Sequence, residues 1–333
     1  MTSNQEPRPA TTEPAEIVPA PTASPSTETP PDPEALISLY LRTLDSPQTI
    51  KTYNTEIRMF LSYMEEHFGR GVGDLSAEDI SRYREYLLGT YSSATAAKKL
   101  TCMRRFLTFT YMGGVSRISP ESLRFFARSP KVRQDSSYNI LTEDELSRML
   151  SAARTENYRD YVMLAVMVSC GLREAELVGI RIGDFRESGA VHDGQDIIHL
   201  RVLGKGDKTR NVPVSPDLWS LVQRFVIHSG RTFTSQNDAR KPLFESREGR
   251  NKPLTTRAVR YMVKKYVRKA GITKPVSPHS IRHTVGTNMA VNEAPLLIIQ
   301  QFLGHSDPKT TMRYIRRAEE ISNRSYEYNT LRI

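Results

Sequence analysis

The chain has only two cysteines in 333 residues, Cys102 and Cys170, each in apolar surroundings. That scarcity argues against a disulfide framework and fits reduced core thiols in a cytosolic protein. Long apolar runs are missing too. No stretch approaches the ~18 residues of a membrane span, and the N-terminus lacks the basic-then-apolar order of a secretory signal. A cytoplasmic protein with no membrane partner is expected. There is no internal repeat. The first 33 residues lack basic charge and core formers: they hold one Arg, five acids and nine of the twenty prolines. Residues 1–33 therefore read as a disordered, mildly acidic tail. The whole chain has 47 Lys plus Arg against 37 Asp plus Glu, a net charge of +10. Residues 34–333 alone hold 46 basic and 32 acidic groups, a balance of +14. Such an excess suits nucleic acid before membrane, although a basic protein without a polyanionic partner has the same composition.

Residues 34–128 read as a small helical domain. A short amphipathic helix is predicted over Glu34–Leu44. Ser46-Pro47 is an N-cap with proline at the first helical position, opening a helix to Phe68 whose apolar set (Ile50, Tyr53, Ile57, Phe60, Leu61, Met64) keeps a 3.6-residue period. Ser76-Ala-Glu-Asp79 starts a helix to Leu88. The next helix, Ser93–Met112, ends at Gly113-Gly114 and interleaves Leu100, Met103, Phe106, Leu107 and Phe109 with Lys98, Lys99, Arg104 and Arg105. Those four basic residues are candidate phosphate contacts; the alternative is a solvated helix face. Residues 129–140 are polar, lack helical periodicity and read as a linker. Thr142-Glu-Asp-Glu145 opens a larger domain over 141–320, followed by a tail over 321–333. In that domain Asp160–Ser169 reads as a buried helix broken by Cys170-Gly171. Asp196–Val202 and Thr209–Val214 read as strands joined by a glycine-rich turn. Thr255–Ala270 reads as a helix with a basic stripe at Arg257, Arg260, Lys264 and Arg268 opposite Val259, Val263 and Val267. The fold class is mainly α with a small β-sheet or hairpin.

Six residues in the second half stand in distinctive contexts. Arg173 is in Gly-Leu-Arg-Glu-Ala-Glu-Leu and Lys205 in Leu-Gly-Lys-Gly-Asp-Lys-Thr-Arg. His279 and Arg282 share Ser-Pro-His-Ser-Ile-Arg-His-Thr. His305 is in Phe-Leu-Gly-His-Ser, and Tyr314 follows in Thr-Thr-Met-Arg-Tyr-Ile. Taken singly, each has an ordinary reading. Arg173 could be a surface residue paired with Glu176, Lys205 a turn lysine, and Tyr314 half-buried packing. His279 and His283 have zinc-ligand spacing, but Ser280 stands where a metalloprotease has glutamate and no third ligand stands out. Gly204-Lys-Gly is too short for a nucleotide-binding loop.

In this order and these contexts, the six resemble the active site of tyrosine recombinases of the phage integrase family, with a layout closest to Xer-type recombinases. The chemistry is coherent. Attack on a phosphodiester builds charge on the non-bridging oxygens, and guanidinium forks can hold that charge in place of metal ions. Arg173 and Arg282 are the candidates, with His279 on the same helical face as Arg282. Lys205 can protonate the leaving 5′-oxygen. Tyr314 is the nucleophile, with His305 and His279 as assistants, and the covalent intermediate stores the bond energy. No metal or cofactor is expected. The resemblance implies a helical core-binding domain and an α+β catalytic domain that clamp duplex DNA, with Glu176 in a structural or orienting role. It further implies a homotetramer on two DNA sites, reached by exchange of C-terminal tails, with a partner recombinase or accessory protein in some systems. A type IB topoisomerase, or a DNA-binding protein without catalysis, would be the other readings.

Overall fold

The computed structural model describes residues 32–131, 139–192, 195–246 and 251–321. The expected tails (all but Asp32 and Pro33 of 1–33, all but Ile321 of 321–333) and the middle of the expected linker lie outside the described residues. The chain divides into two compact units at Gln134/Asp135.

The first unit is helical: α1 (Pro33–Leu41), α2 (Pro47–Phe68), α3 (Ala77–Thr90), α4 (Ser93–Met112) and α5 (Pro120–Phe126). Local signals set the starts. Ser46 caps α2 with Pro47 behind it, and Gly69 ends that helix in the left-handed region at φ 60°. Ser76 and Asp79 form a reciprocal capping box on α3. Ile57, Phe60, Met64, Ile80, Leu100, Phe106 and Leu107 pack fully buried between these helices. Each contributes roughly 1.5–3 kcal/mol of burial.

Lys99 corrects one expectation. It is 6% exposed and gives Glu56 Oε2 a 2.5 Å hydrogen bond, with its ammonium 4.7 Å from the Tyr91 ring centre. It is a core ion-pair member and not a phosphate contact. Lys98 also pairs with Glu56, at 2.7 Å, but stays half-exposed. Arg104 donates to Thr101 and Ser129, and Arg105 is exposed.

The second unit begins with α6 (Glu143–Glu156), α7 (Tyr158–Cys170) and α8 (Glu174–Gly179). The sheet β1 (Phe185–His192), β2 (Gln195–Leu203) and β3 (Thr209–Val214) follows, antiparallel in that order. It is the small β-sheet expected, with β1 as a strand beyond the two read from the sequence. Leu200 opposes both Phe185 and Val212, and Ile198, Leu200, Val202, Val212 and Val214 are all buried. Then come α9 (Pro216–His228), α10 (Gln236–Ala239), α11 (Thr256–Lys269), α12 (Pro278–Val291), α13 (Leu296–Leu303) and α14 (Pro308–Ile321). α7 is buried almost all round, through Val162, Met163, Leu164, Val166, Met167 and Cys170. Both cysteines are free and buried. Thr284 of α12 is fully buried and accepts from the Leu141 N–H at 2.9 Å, tying the start of this unit to the helix that carries His279 and Arg282.

Candidate active site

Gly171 ends α7 at φ 58°, a left-handed turn that a Cβ would oppose, since it would lie 2.8 Å from Leu303 Cδ2. The turn places Arg173 at the N-cap of α8. Glu176, at the third helical position, accepts from the Arg173 N–H at 2.9 Å and from Arg173 Nη1 at 2.7 Å. Arg210 of β3 grips the same carboxylate with both terminal nitrogens, at 2.8 and 2.9 Å, and gives its Nε–H to the Phe302 carbonyl at 2.9 Å. Burial alone would raise the Glu176 pKa. The Arg210 hydrogen bonds and charge, then the Arg173 N–H and the Arg282 charge, bring it down to about 2. Glu176 is thus ionised and held against Arg173.

Arg282 is 1% exposed. Its Nη1 donates to the Gly171 carbonyl at 2.7 Å and its Nη2 to the Leu303 carbonyl, and Nη1 lies 3.7 Å from Glu176 Oε2. Burial and the Arg173 charge lower its pKa to about 10, so it stays protonated at neutral pH.

Tyr314 is also 1% exposed. α14 brings it against α12 at Gly286, where a Cβ would stand 2.8 Å from two ring carbons of Tyr314. Only glycine allows that approach. The Tyr314 hydroxyl lies 2.9 Å from His283 Nδ1, and the ring stacks on His305, centroids 5.8 Å apart at 19°. His305 Nδ1 is in turn 2.9 Å from Thr311 Oγ1. His279 meets His283 edge-on at 4.8 Å. The three imidazoles are all held below the usual histidine range. Burial is the first cause in each, followed by Arg282 and Arg173 for His279 and His305, and by His279 and Arg282 for His283. His305 is brought to about 4 and His283 to about 3.

Five of the six sequence candidates therefore surround one locus: Arg173, His279, Arg282, His305 and Tyr314. Lys205 lies on the turn Lys205–Asp207 between β2 and β3, with Gly206 at φ 71°; its side chain is outside the described residues. Sequence reasoning missed three residues here. Arg210 sits inside the quoted Lys205 context, where strand alternation was the available signal. Thr311 sits in the Tyr314 context. His283 was weighed only as a zinc ligand.

On α11, Arg257, Arg260, Lys264 and Arg268 form one exposed face. Arg260 is engaged by Glu174 at 2.8 Å, and the Arg257 guanidinium lies 5.6 Å from the Tyr261 ring centre. Arg260, Lys264, Arg268, Arg173 and His279 all line one cavity of about 1310 Å³ with an apolar floor at Val267, Ile272 and Val276.

Residues 139–320 match the model of the phage integrase family, and residues 37–114 match the phage integrase N-terminal SAM-like domain. The tyrosine recombinase XerC of Pelobacter propionicus is 31% identical over 277 residues, 81% of this chain and 84% of that protein. The tyrosine recombinase XerD of Proteus mirabilis is 32% identical over 235 residues, 69% and 70% of the two chains. Among solved structures, the XerH site-specific recombinase bound to palindromic difH aligns with TM-score 0.65 at 20% identity, covering 84% of this chain and 80% of that one. The Tn1549 transposon integrase with circular intermediate DNA aligns with TM-score 0.63 at 17% identity, covering 86% and 98%. At these identities the two structures establish the fold. Together with the matched family models, these likenesses show that the chain belongs to the phage integrase family and is a site-specific tyrosine recombinase of the Xer type, an enzyme that breaks and rejoins DNA.

Proposed function

We propose that Tyr314 attacks a phosphodiester at a specific duplex core site, giving a 3′-phosphotyrosine and a free 5′-hydroxyl. The observation that carries this is the convergence of one tyrosine hydroxyl, two guanidinium groups and three imidazoles on a single locus, with Tyr314 and Arg282 buried in it. Arg173 and Arg282 take the non-bridging oxygens as charge builds on phosphorus, and His279 adds a donor. His305 packs the nucleophile's ring. Lys205 protonates the departing 5′-oxygen. Rejoining reverses these steps and needs no nucleotide, because the phosphotyrosine keeps the bond energy. Since Tyr314 is enclosed before DNA arrives, binding must open a path to its oxygen.

In this reading residues 34–128 are the core-binding domain and 141–320 the catalytic domain. The exposed α11 face, with Lys98, Arg104 and Arg105, meets DNA phosphates. Four protomers on two sites exchange one strand pair, form a Holliday junction and resolve it, alone or with a partner recombinase or accessory protein. The task is dimer resolution or movement of a mobile element, carried out in the cytoplasm on the nucleoid.

The test begins with a half-site selected from randomised duplexes, then presented as a nicked suicide substrate. Tyr314→Phe should bind it as the wild type does and form no covalent adduct. A gel-stable adduct in Tyr314→Phe would remove Tyr314 from the role.

A further inference from the structure

We infer that His283 is a catalytic residue of this recombinase: it takes the hydroxyl proton of Tyr314 during cleavage and returns it during rejoining. This rests on Tyr314 being the nucleophile.

His283 Nδ1 lies 2.9 Å from Tyr314 Oη, within reach for direct proton transfer. The other two imidazoles are placed differently. His305 lies parallel to the Tyr314 ring and its Nδ1 is engaged by Thr311. His279 stands edge-on to His283 and lines the cavity that Arg173 also lines. The phenol's hydrogen bond thus points to a residue next to Arg282 in sequence, one helical position beyond the His-x-x-Arg pair.

The surroundings of His283 suit the task. Facing it are His279 and Arg282 from α12, His305 from the turn after α13, and Arg313 and Tyr314 from α14. Burial and those positive neighbours hold the ring neutral, its pKa down at about 3. A neutral ring with its proton on Nε2 offers an Nδ1 lone pair to the phenol. Alone, so weak a base would leave the tyrosine protonated. A phosphodiester bound at Arg173 and Arg282 brings negative charge beside the groups that depress it. Further charge develops on the non-bridging oxygens in the transition state. The ring therefore gains basicity as the phenol loses its proton.

The step balances. The Tyr314 Oη–H bond breaks and an Nδ1–H bond forms, leaving His283 as imidazolium. Oη bonds to phosphorus and the bond to the 5′-oxygen breaks, that oxygen taking its proton from Lys205. In rejoining, the 5′-hydroxyl returns its proton to Lys205, and imidazolium His283 protonates the departing phenolate.

Single-turnover cleavage of the nicked selected half-site tests this, using the full chain. His283→Ala and His283→Asn should both bind the half-site within about twofold of wild type and cleave it about 10²–10⁴-fold more slowly. The asparagine is the informative variant. Its Oδ1 can accept the phenol's hydrogen bond near the Nδ1 position but cannot take the proton. Imidazole added to solution should restore part of the His283→Ala rate, with rescue rising through imidazole's own pKa. A 5′-bridging phosphorothiolate, which needs no leaving-group proton, should rescue Lys205→Ala and not His283→Ala. His283→Asn cleaving at the wild-type rate would reduce His283 to a hydrogen-bonding support and overturn the inference. So would phosphorothiolate rescue equal to that of Lys205→Ala. An adduct formed by Tyr314→Phe would instead sink the underlying assignment of the nucleophile.

Discussion

Two imidazoles, His283 and His305, pack on Tyr314 and a third, His279, meets His283; their protonation ties stability to pH. In an unfolded chain each would protonate near pH 6.5. In the fold His305 resists until about 4 and His283 until about 3, burial being the first cause. Between those values the unfolded chain binds more protons than the folded one, so stability rises with pH. The contribution is complete above about 6.5 and is lost as pH falls toward 4 for His305 and toward 3 for His283. Glu176, held at about 2, adds a second and lower window, from its ordinary 4.5 downward. Thermal denaturation of the enzyme should show a melting temperature that falls from pH 7 to pH 4.5, and His305→Asn should flatten that slope. An unchanged slope would mean that His305 is not held neutral. These residues show what local sequence carries. That Arg173, His279, Arg282, His305 and Tyr314 belong together was legible from their types and contexts, and the fold brings them to one locus. The role of His283 was not, because its contact with Tyr314 joins residues 31 positions apart. Lys98 and Lys99 were indistinguishable in sequence, and only the packing of α4 against α2 buries one and leaves the other half-exposed.

At the scale of elements, Arg210 is a strut. It ties β3, the strand that follows the Lys205 turn, to Glu176 on α8 and to the Phe302 carbonyl at the end of α13. Gly304 caps α13 at φ 66°, and a Cβ there would stand 2.8 Å from Arg210 Cδ. Arg210→Ala would leave a buried carboxylate short of its main partner, which costs about 3–5 kcal/mol. Urea denaturation should show that loss, and Arg210→Lys should recover little of it, because an ammonium cannot make the forked contact. Full recovery by lysine would mean that only charge matters. The α11 stripe makes a different prediction. Lys264→Ala should lower the salt dependence of half-site binding by about one ion. Lys99→Gln should leave that slope unchanged while destabilising the first unit by about 1–3 kcal/mol, as denaturation would report; a changed slope would return Lys99 to the DNA surface. Helix starts at Ser46, Ser76 and Thr142 were legible from capping chemistry. α9 carries the same signal in Ser215-Pro216. β1 has no such signal: Phe-Arg-Glu-Ser-Gly-Ala-Val-His lacks sustained alternation, and only pairing with β2 makes it a strand. α5 is seven residues long, too short for periodicity to declare it.

At the scale of the whole molecule, assembly is the open arithmetic. Ala318 is buried against the α14 cluster, while Ile321 at the end of the helix is exposed. Tyr326, Leu331 and Ile333 follow it in the sequence. The proposed assembly of four protomers uses residues 321–333 as the exchanged segment, since a head-to-tail contact of that kind would close into a ring. Truncation after Glu320 should leave a protein that folds and binds one half-site but loses cooperative binding to two sites and recombines poorly, as gel shifts and a two-site plasmid assay would show. Wild-type recombination by the truncated chain would exclude tail exchange.

Arg282 serves two masters. Its guanidinium bonds the carbonyls of Gly171 and Leu303 and so holds the end of α7 to the end of α13, whatever its part in chemistry. Under the proposed mechanism, a lineage that gave up catalysis would be free to lose Lys205 or the Tyr314 hydroxyl, yet selection for a folded chain would still keep Arg282. Among decayed descendants of this protein, retention of that arginine would testify to inherited architecture and would say nothing about surviving activity.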